Sequence, residues 1–297
     1  MTPTDLEAPP RMIVIGDLHG DIAMLCSCLY MASIINTKME WIAQPPNTYV
    51  VQMGDQLDSV SRDSQEPWEK LDDVKLMEFT DKLDQVARKK GGRFISMIGN
   101  HELMNLQGNF MYVSSHSMAR SGGSQGRFQR FKPGGSYATL LSKRNVIQKI
   151  GSLLFCHAGL LPHHLDLVGN HLETINNLYR KFALNQPMNP MEEHMVNELF
   201  VSELSLLWNR LYLNTTPEMD QVLQLTLEKT QTRHMMIGHN PVPHITPLYG
   251  FKLWLTDVGL SRSFQNQTLE VLEILHGGIP CPENDHHPFR VIRADKK

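Results

Sequence analysis

One pattern recurs five times along the chain and constrains the fold more than any other: a short apolar run ends in a polar turn that contains glycine. "MIVI" (Met12 to Ile15) runs into "GDLHGD", and "YVVQM" (Tyr49 to Met53) into "GDQLD". "FISMI" (Phe94 to Ile98) meets "GNHE", "SLLF" (Ser152 to Phe155) meets "CHAG", and "HMMI" meets "GHN". Between the first two runs, Ile22, Leu25, Cys28, Leu29 and Ala32 keep helical spacing after Asp21, a residue suited to an N-cap. Leu76, Phe79, Leu83 and Val86 do the same before the third run. The order βαβαβ predicts an α/β fold with a mainly parallel sheet. In such sheets ligands lie outside the carboxyl ends of the strands, where all five polar clusters fall, so the clusters are expected to converge.

Later in the chain, Val196, Leu199, Phe200, Leu204, Leu207 and Leu211 predict one amphipathic helix. "FKLWLTDVGL" and "QTLEVLEIL" read as closing strands. A single domain over residues 11–275 is expected, with residues 1–10 and 276–297 as loosely held tails. The chain is long enough for a large core: 297 residues, 41% hydrophobic. A formal net charge of -3 offers no basic footprint for nucleic acid or an anionic membrane. No run approaches the roughly 18 apolar residues that span a bilayer. Cys26, Cys28, Cys156 and Cys281 suit reduced, buried thiols, and with no apolar leader at the N-terminus the expected location is the cytoplasm. On that expectation the sequons at Asn214 and Asn266 are chance matches.

The converging clusters supply Asp17, His19, Asp55, Asn100, His157 and His239: two carboxylates, three imidazoles and an amide oxygen. Mixed nitrogen and oxygen donors without thiolate suit manganese, iron or zinc better than calcium. A carboxylate shared between two ions holds them roughly 3.5–4 Å apart, the separation of two-metal hydrolytic sites, and Asp55 is the candidate bridge. Turn chemistry accounts for Gly and Asp at any one strand end. It does not account for a metal-ligand type at all five. The pairs beginning at His163 and His286 and the acidic "LDD" at Leu71 to Asp73 have no such spacing partner and read as solvated surface.

"GDLHGD", "GDQLD", "GNHE", "CHAG" and "GHN" resemble the signatures of the calcineurin-like metallophosphoesterases, in their phosphoprotein phosphatase branch. "GNHELMNLQGNFMYV", "FKPGGSYATLL", "LWNRLY" and "KLWLTDVGLSRSF" are similar to the Shewanella-like protein phosphatases within it. The resemblance implies a four-layer α/β/β/α sandwich with a bimetal site at the strand ends. It implies that Asp17, His19 and Asp55 hold one ion and that Asp55, Asn100, His157 and His239 hold the other. Manganese is the first expectation for both ions. It further implies that His101 faces the leaving group as general acid, oriented by Asp58, and that the partner is a phosphorylated protein or peptide. Glu102 is expected to pack or cap behind the site.

The chain departs from the pattern at Ser59, where many relatives of this type carry a phosphate-clamping arginine. Arg62 and Arg210 are the candidate replacements. Two other readings use the same residues. A dinucleoside polyphosphate hydrolase or phosphodiesterase would draw basic and aromatic side chains from a loop at Arg120 to Lys132. A catalytically inactive scaffold would have no need of six ligands plus His101.

Overall fold

In a computed structural model of the chain, residues 1–60, 71–264, 268–280 and 287–294 are described. Arg62, Asn266, Cys281 and His286 lie outside them. The described strands are β1 (Asp5–Leu6), β2 (Arg11–Ile15), β3 (Tyr49–Gln52), β4 (Arg93–Ser96), β5 (Ile147–Ile150), β6 (Leu153–Cys156), β7 (His234–Ile237), β8 (Thr246–Leu248), β9 (Leu253–Leu255), β10 (Glu270–Leu275) and β11 (Phe289–Arg293). They form a six-stranded sheet, β1-β5-β6-β7-β9-β8, and a five-stranded sheet, β11-β10-β2-β3-β4, flanked by helices.

Each sheet contains a parallel triplet, β2-β3-β4 in one and β6-β7-β9 in the other. β1 is also parallel to β5, but four pairings depart from the expected parallel order: β5 with β6, β8 with β9, and β10 with both β2 and β11 are antiparallel. Only Gly151 and Ser152 separate β5 from β6, a connection too short for a parallel crossover. Alternation along the strands builds two cores. Leu153, Phe155, Met236 and Trp254 join the cluster shared with the five-stranded sheet, whereas Leu154, Cys156, Met235, Ile237, Leu253 and Leu255 join the other. Both faces of these strands are therefore buried, which is why they read as nearly continuous apolar runs.

The helix Ile22–Met31 starts where expected, with Asp21 Oδ1 accepting from Met24 N at 3.1 Å. Asp72 caps the helix Asp73–Lys89 in the same way, and Arg88 and Lys89 sit at the favourable end of its dipole. Other local expectations fail. Residues 196–211 are not one helix: Pro190–Val196 passes into a π turn, Asn197–Val201, and leaves helical geometry at Ser202. The chain is drawn off instead towards the strand ends, where Leu206 O accepts from Ala158 N and Trp208 O meets the His239 ring. The "LDD" segment is not solvated, because Asp73 is fully buried against Arg127. Nor is the whole first His pair: His163 is exposed, but His164 is buried, its Nδ1 accepting from Leu161 N and its Nε2 donating to Leu204 O. Burial pushes the His164 pKa down to about 3.

The terminal segments read as loose tails both supply edge strands, β1 alongside β5 and β11 alongside β10. β1 is short, yet buried amides depend on the chain around it. Gln148 Nε2 donates to Pro3 O and Thr4 O, Asn145 Nδ2 to Thr2 O, and Asn176 Nδ2 to Thr4 Oγ1. Leaving such a group unpartnered costs about 1–3 kcal/mol. Deleting residues 1–7 is therefore expected to lower the thermal midpoint by roughly 5–10 °C, read by differential scanning fluorimetry. An unchanged midpoint would mean that the edge strand is dispensable.

Candidate metal centre

Six strands, the two parallel triplets, deliver side chains to one mouth. Asp17 and His19 follow β2, Asp55 and Asp58 follow β3, Asn100 and His101 follow β4, His157 follows β6, His239 follows β7, and Asp257 follows β9. Two of the glycines at these strand ends are required by close approach. A Cβ on Gly99 would lie 2.2 Å from Asp55 Oδ1, and one on Gly238 would lie 2.4 Å from Asp17 Oδ1. Asp55, Asp58, His19 and His239 have φ of 52°, 65°, 39° and 61°, left-handed values that a non-glycine residue adopts only when its surroundings hold it there.

Asp55 Oδ2 is the focus. It lies 3.2 Å from His157 Nε2, 3.9 Å from His101 Nε2 and 4.0 Å from His19 Nε2. Backbone carbonyls behind the rings fix which nitrogens point inward. His19 Nδ1 is 3.0 Å from Leu57 O, His157 Nδ1 is 2.9 Å from Met53 O, and His239 Nε2 is 3.1 Å from Trp208 O. Each of those nitrogens is then the N–H donor, and the other nitrogen presents a lone pair to the site. Asn100 Oδ1 sits 2.8 Å from His157 Nε2 and 2.9 Å from His239 Nδ1, and Asp17 Oδ2 accepts from His239 N at 3.1 Å. By distance two groups emerge, His19–Asp55–His101 and Asp55–His157–His239, sharing Asp55.

This arrangement fits divalent cations. Lone pairs face lone pairs across hydrogen-bond distances, and Asp17 Oδ1 is buried with no hydrogen-bond partner among the described residues. Burial, then the carboxylates of Asp257 and Asp55, raise the Asp17 pKa well above the ordinary range. Burial also raises Asp257, to about 6, with Asp55 adding to it. Burial opposes ionisation of Asp55 too, but His157, His101 and His19 outweigh it and hold that carboxyl well below its usual value. His239 is pushed down to about 3 by burial and by His157, which keeps its ring neutral, as a ligand requires. His157 goes the other way, since Asp55 outweighs its burial. Three acidic groups in a buried mouth are a poor arrangement for protons alone and a good one for cations.

His101 stands at the rim of this focus with its Nδ1 2.7 Å from Asp58 Oδ2. Tyr112 packs edge-on against its ring at 5.2 Å. Glu102 lies behind the site, as expected. Its Oε2 accepts from Gly99 N and Asp55 N, and its Oε1 from Gln56 N and Leu57 N. Arg210 is exposed at the mouth, its Nη1 donating to His239 O at 3.0 Å and to Asn240 Oδ1 at 2.8 Å. Ser59, at the missing-arginine position, is buried among the hydroxyls of Ser114 and Ser117, and a Cβ on Gly20 would meet its Cβ at 2.7 Å. A long side chain has no room there. The segment 120–132 is no loop: Ser115–Arg120 and Gly123–Phe131 are helices, and Arg127 points inward. Sequence reasoning missed Asp257, although "LWL" followed by "TDVG" is a sixth instance of the strand-end pattern. It also missed Asn105, Asp73 and Arg127, for which no comparable signal exists.

Two mixed sheets flanked by helices thus carry a carboxylate and imidazole cluster at their strand ends. Residues 10–282 match the family model of the calcineurin-like phosphoesterases, and the chain belongs to that family, whose hydrolases use a dinuclear divalent metal centre. An uncharacterized protein of Acanthamoeba polyphaga mimivirus is 36% identical over 262 residues, 74% of this chain and 100% of its own length. Shewanella-like protein phosphatase 2 of Arabidopsis thaliana is 29% identical over 216 residues, 58% of this chain and 51% of its own, so the chain spans about half of that relative. Shewanella-like protein phosphatase 1 of Plasmodium berghei is 28% identical over 84% of this chain and 67% of its own. The cold-active protein-tyrosine phosphatase of a psychrophilic Shewanella species shares the fold, with a TM-score of 0.77 over 93% of this chain and 78% of that one at 22% identity. Among the described residues no helix is long and apolar enough to cross a membrane.

If Asp55 is shared between two ions, removing its charge disturbs both. Asp55→Asn is expected to lower the metal content at both positions, read by elemental analysis against a wild-type value of two per chain. One site left fully occupied in the variant would overturn the bridging assignment.

Proposed function

We propose that the chain is a metal-dependent phosphomonoesterase acting on phosphorylated proteins, with Asp17, His19 and Asp55 holding one ion and Asp55, Asn100, His157 and His239 the other. The observation that carries this reading is the His101–Asp58 pair, set 3.9 Å from the carboxylate that the two groups share. Bound divalent ions would supply an activated water and positive charge for the phosphoryl oxygens, which phosphate monoesters need because their uncatalysed hydrolysis is among the slowest known. The chain's own residues do the rest. Asp58 accepts from His101 Nδ1, fixing the tautomer and aiming Nε2 at the departing oxygen, to which it gives a proton. His101 Nε2 also falls within the first metal group by distance, so the test below separates acid from ligand.

Arg210 is anchored through Nη1 to the residue pair His239–Asn240, and its remaining N–H groups are assigned to the phosphoryl oxygens. Manganese is the preferred ion, since half of the donors are oxygen. Protein substrates are favoured by the phosphatase relatives named above. The dinucleotide alternative is weakened by the burial of Arg127, which removes one basic group from the groove it would need.

Chelation is expected to abolish activity and manganese to restore it best; full activity in metal-free protein would overturn the reading. Arg210→Ala is expected to raise KM and lower kcat for phosphate esters together, in steady-state assays. The sharper test varies the leaving group. Tyrosine, with a phenol pKa of about 10, and serine both need a proton on departure, whereas a nitrophenolate needs it less. His101→Asn should keep both ions and lose roughly 10²–10⁴-fold in turnover on phosphoserine or phosphotyrosine peptides, but markedly less on nitrophenyl phosphate. Loss of metal would make His101 a ligand. Equal loss on every substrate would make it a charge stabiliser.

A further inference from the structure

Beneath the His101–Asp58 pair lies a buried charge that no step above uses. Arg127, on the helix Gly123–Phe131, and Asp73, at the start of the helix Asp73–Lys89, are both fully buried. A guanidinium is costly to bury unless its donors are matched, and here they are. Nε donates to Asn105 Oδ1 at 2.7 Å, Nη1 to Asp73 Oδ1 and Ser121 Oγ at 3.2 Å each, and Nη2 to Asp73 Oδ2 at 2.8 Å. The rings of Phe131 and Phe110 lie 4.7 and 5.8 Å from it.

Both arms of this fork end on Asp58. Through one arm, Asn105 Nδ2 donates to Asp58 Oδ1 at 2.8 Å and to His101 O at 2.9 Å. Through the other, Asp73 Oδ2 accepts from Asp58 N at 3.0 Å, holding the left-handed backbone that turns the Asp58 side chain towards His101. Arg127 Nη2 itself lies 3.9 Å from Asp58 Oδ1. The pair thus holds one aspartate at two points, Asn105 on its carboxylate and Asp73 on its backbone N–H. We propose that Arg127 is a positioning residue for leaving-group protonation: it ties Asn105 to Asp73, and these two hold Asp58 so that the His101 ring keeps one angle to the departing oxygen. The inference rests on His101 as general acid. A lysine at 127 keeps the charge but cannot span both partners, because it lacks the planar fork.

The test uses the manganese-loaded full chain, with turnover measured on a phosphotyrosine peptide and on nitrophenyl phosphate for Arg127→Lys, His101→Asn and the double variant. Arg127→Lys should retain both ions and lose on the order of 10- to 100-fold on the peptide, as a slightly misplaced group does, but much less on nitrophenyl phosphate. Added to His101→Asn it should cause no further loss, because the two act through one proton. Losses that are equal on the two substrates, or that multiply in the double variant, overturn the inference. If His101→Asn discriminates between substrates and Arg127→Lys does not, only this inference falls. If His101→Asn itself does not discriminate, the general-acid reading falls and this one with it. Should Arg127→Lys not fold, Asn105→Leu cuts the arm to the Asp58 carboxylate while leaving the Arg127–Asp73 pair in place. The same peptide-selective loss is expected of it, and equal losses on both substrates overturn the proposal.

Discussion

The Glu102 carboxylate accepts four backbone N–H groups, those of Gly99, Asp55, Gln56 and Leu57, from the ends of two neighbouring strands. Its burial and the Asp55 charge push its pKa up, while the Gly99 and Leu57 N–H groups pull it down. Those bonds shape the turn after β3 so that Asp55 faces the imidazoles and Asp58 faces His101. Without them, four N–H groups would be left unpartnered in a dry interior, and the turn would have no reason to keep two left-handed aspartates. The site therefore depends on a residue that does not line it.

The same turn is tied outward to the second sheet. Gln56 Nε2 donates to Gln52 Oε1, while Gln56 Oε1 accepts from Arg144 and Thr80. Arg144 immediately precedes the segment that enters β5, and Met97 bridges to Asn145, so this polar seam joins the two sheets at the level of the strand ends. Arg144 also donates through Nη2 to Met77 O and Asp81 Oδ1, while among the described residues its Nε has no partner. These bonds tie the turn after β3 to the chain entering β5, and so help to set the distance across which side chains of one sheet meet those of the other.

Much of the candidate site was legible because its polar residues sit at strand ends, and strand ends are local features. Asp17, His19, Asp55, Asn100, His157 and His239 could each be read from a few adjacent residues, as could the N-cap at Asp21. What failed shares a different cause. Asp73 looked like a solvated acid because its partner Arg127 lies 54 residues away, and the residues at 196–211 kept helical spacing although contacts with the His157 and His239 turns unwind them. His164 looked like its exposed neighbour because only the fold supplies Leu204 O.

By itself the sequence determined the α/β class and the polar residues at five strand ends that the fold brings together, because periodicity and turn chemistry act over a few residues. The tertiary structure alone decided how those ends meet. It split the strands into two sheets, put Asp257 beside Asp17, buried Arg127 under the Asp58–His101 pair and closed the arginine position at Ser59. Each of those outcomes rests on side chains far apart in the chain competing for the same buried volume and the same hydrogen-bond partners, and no local pattern records that competition.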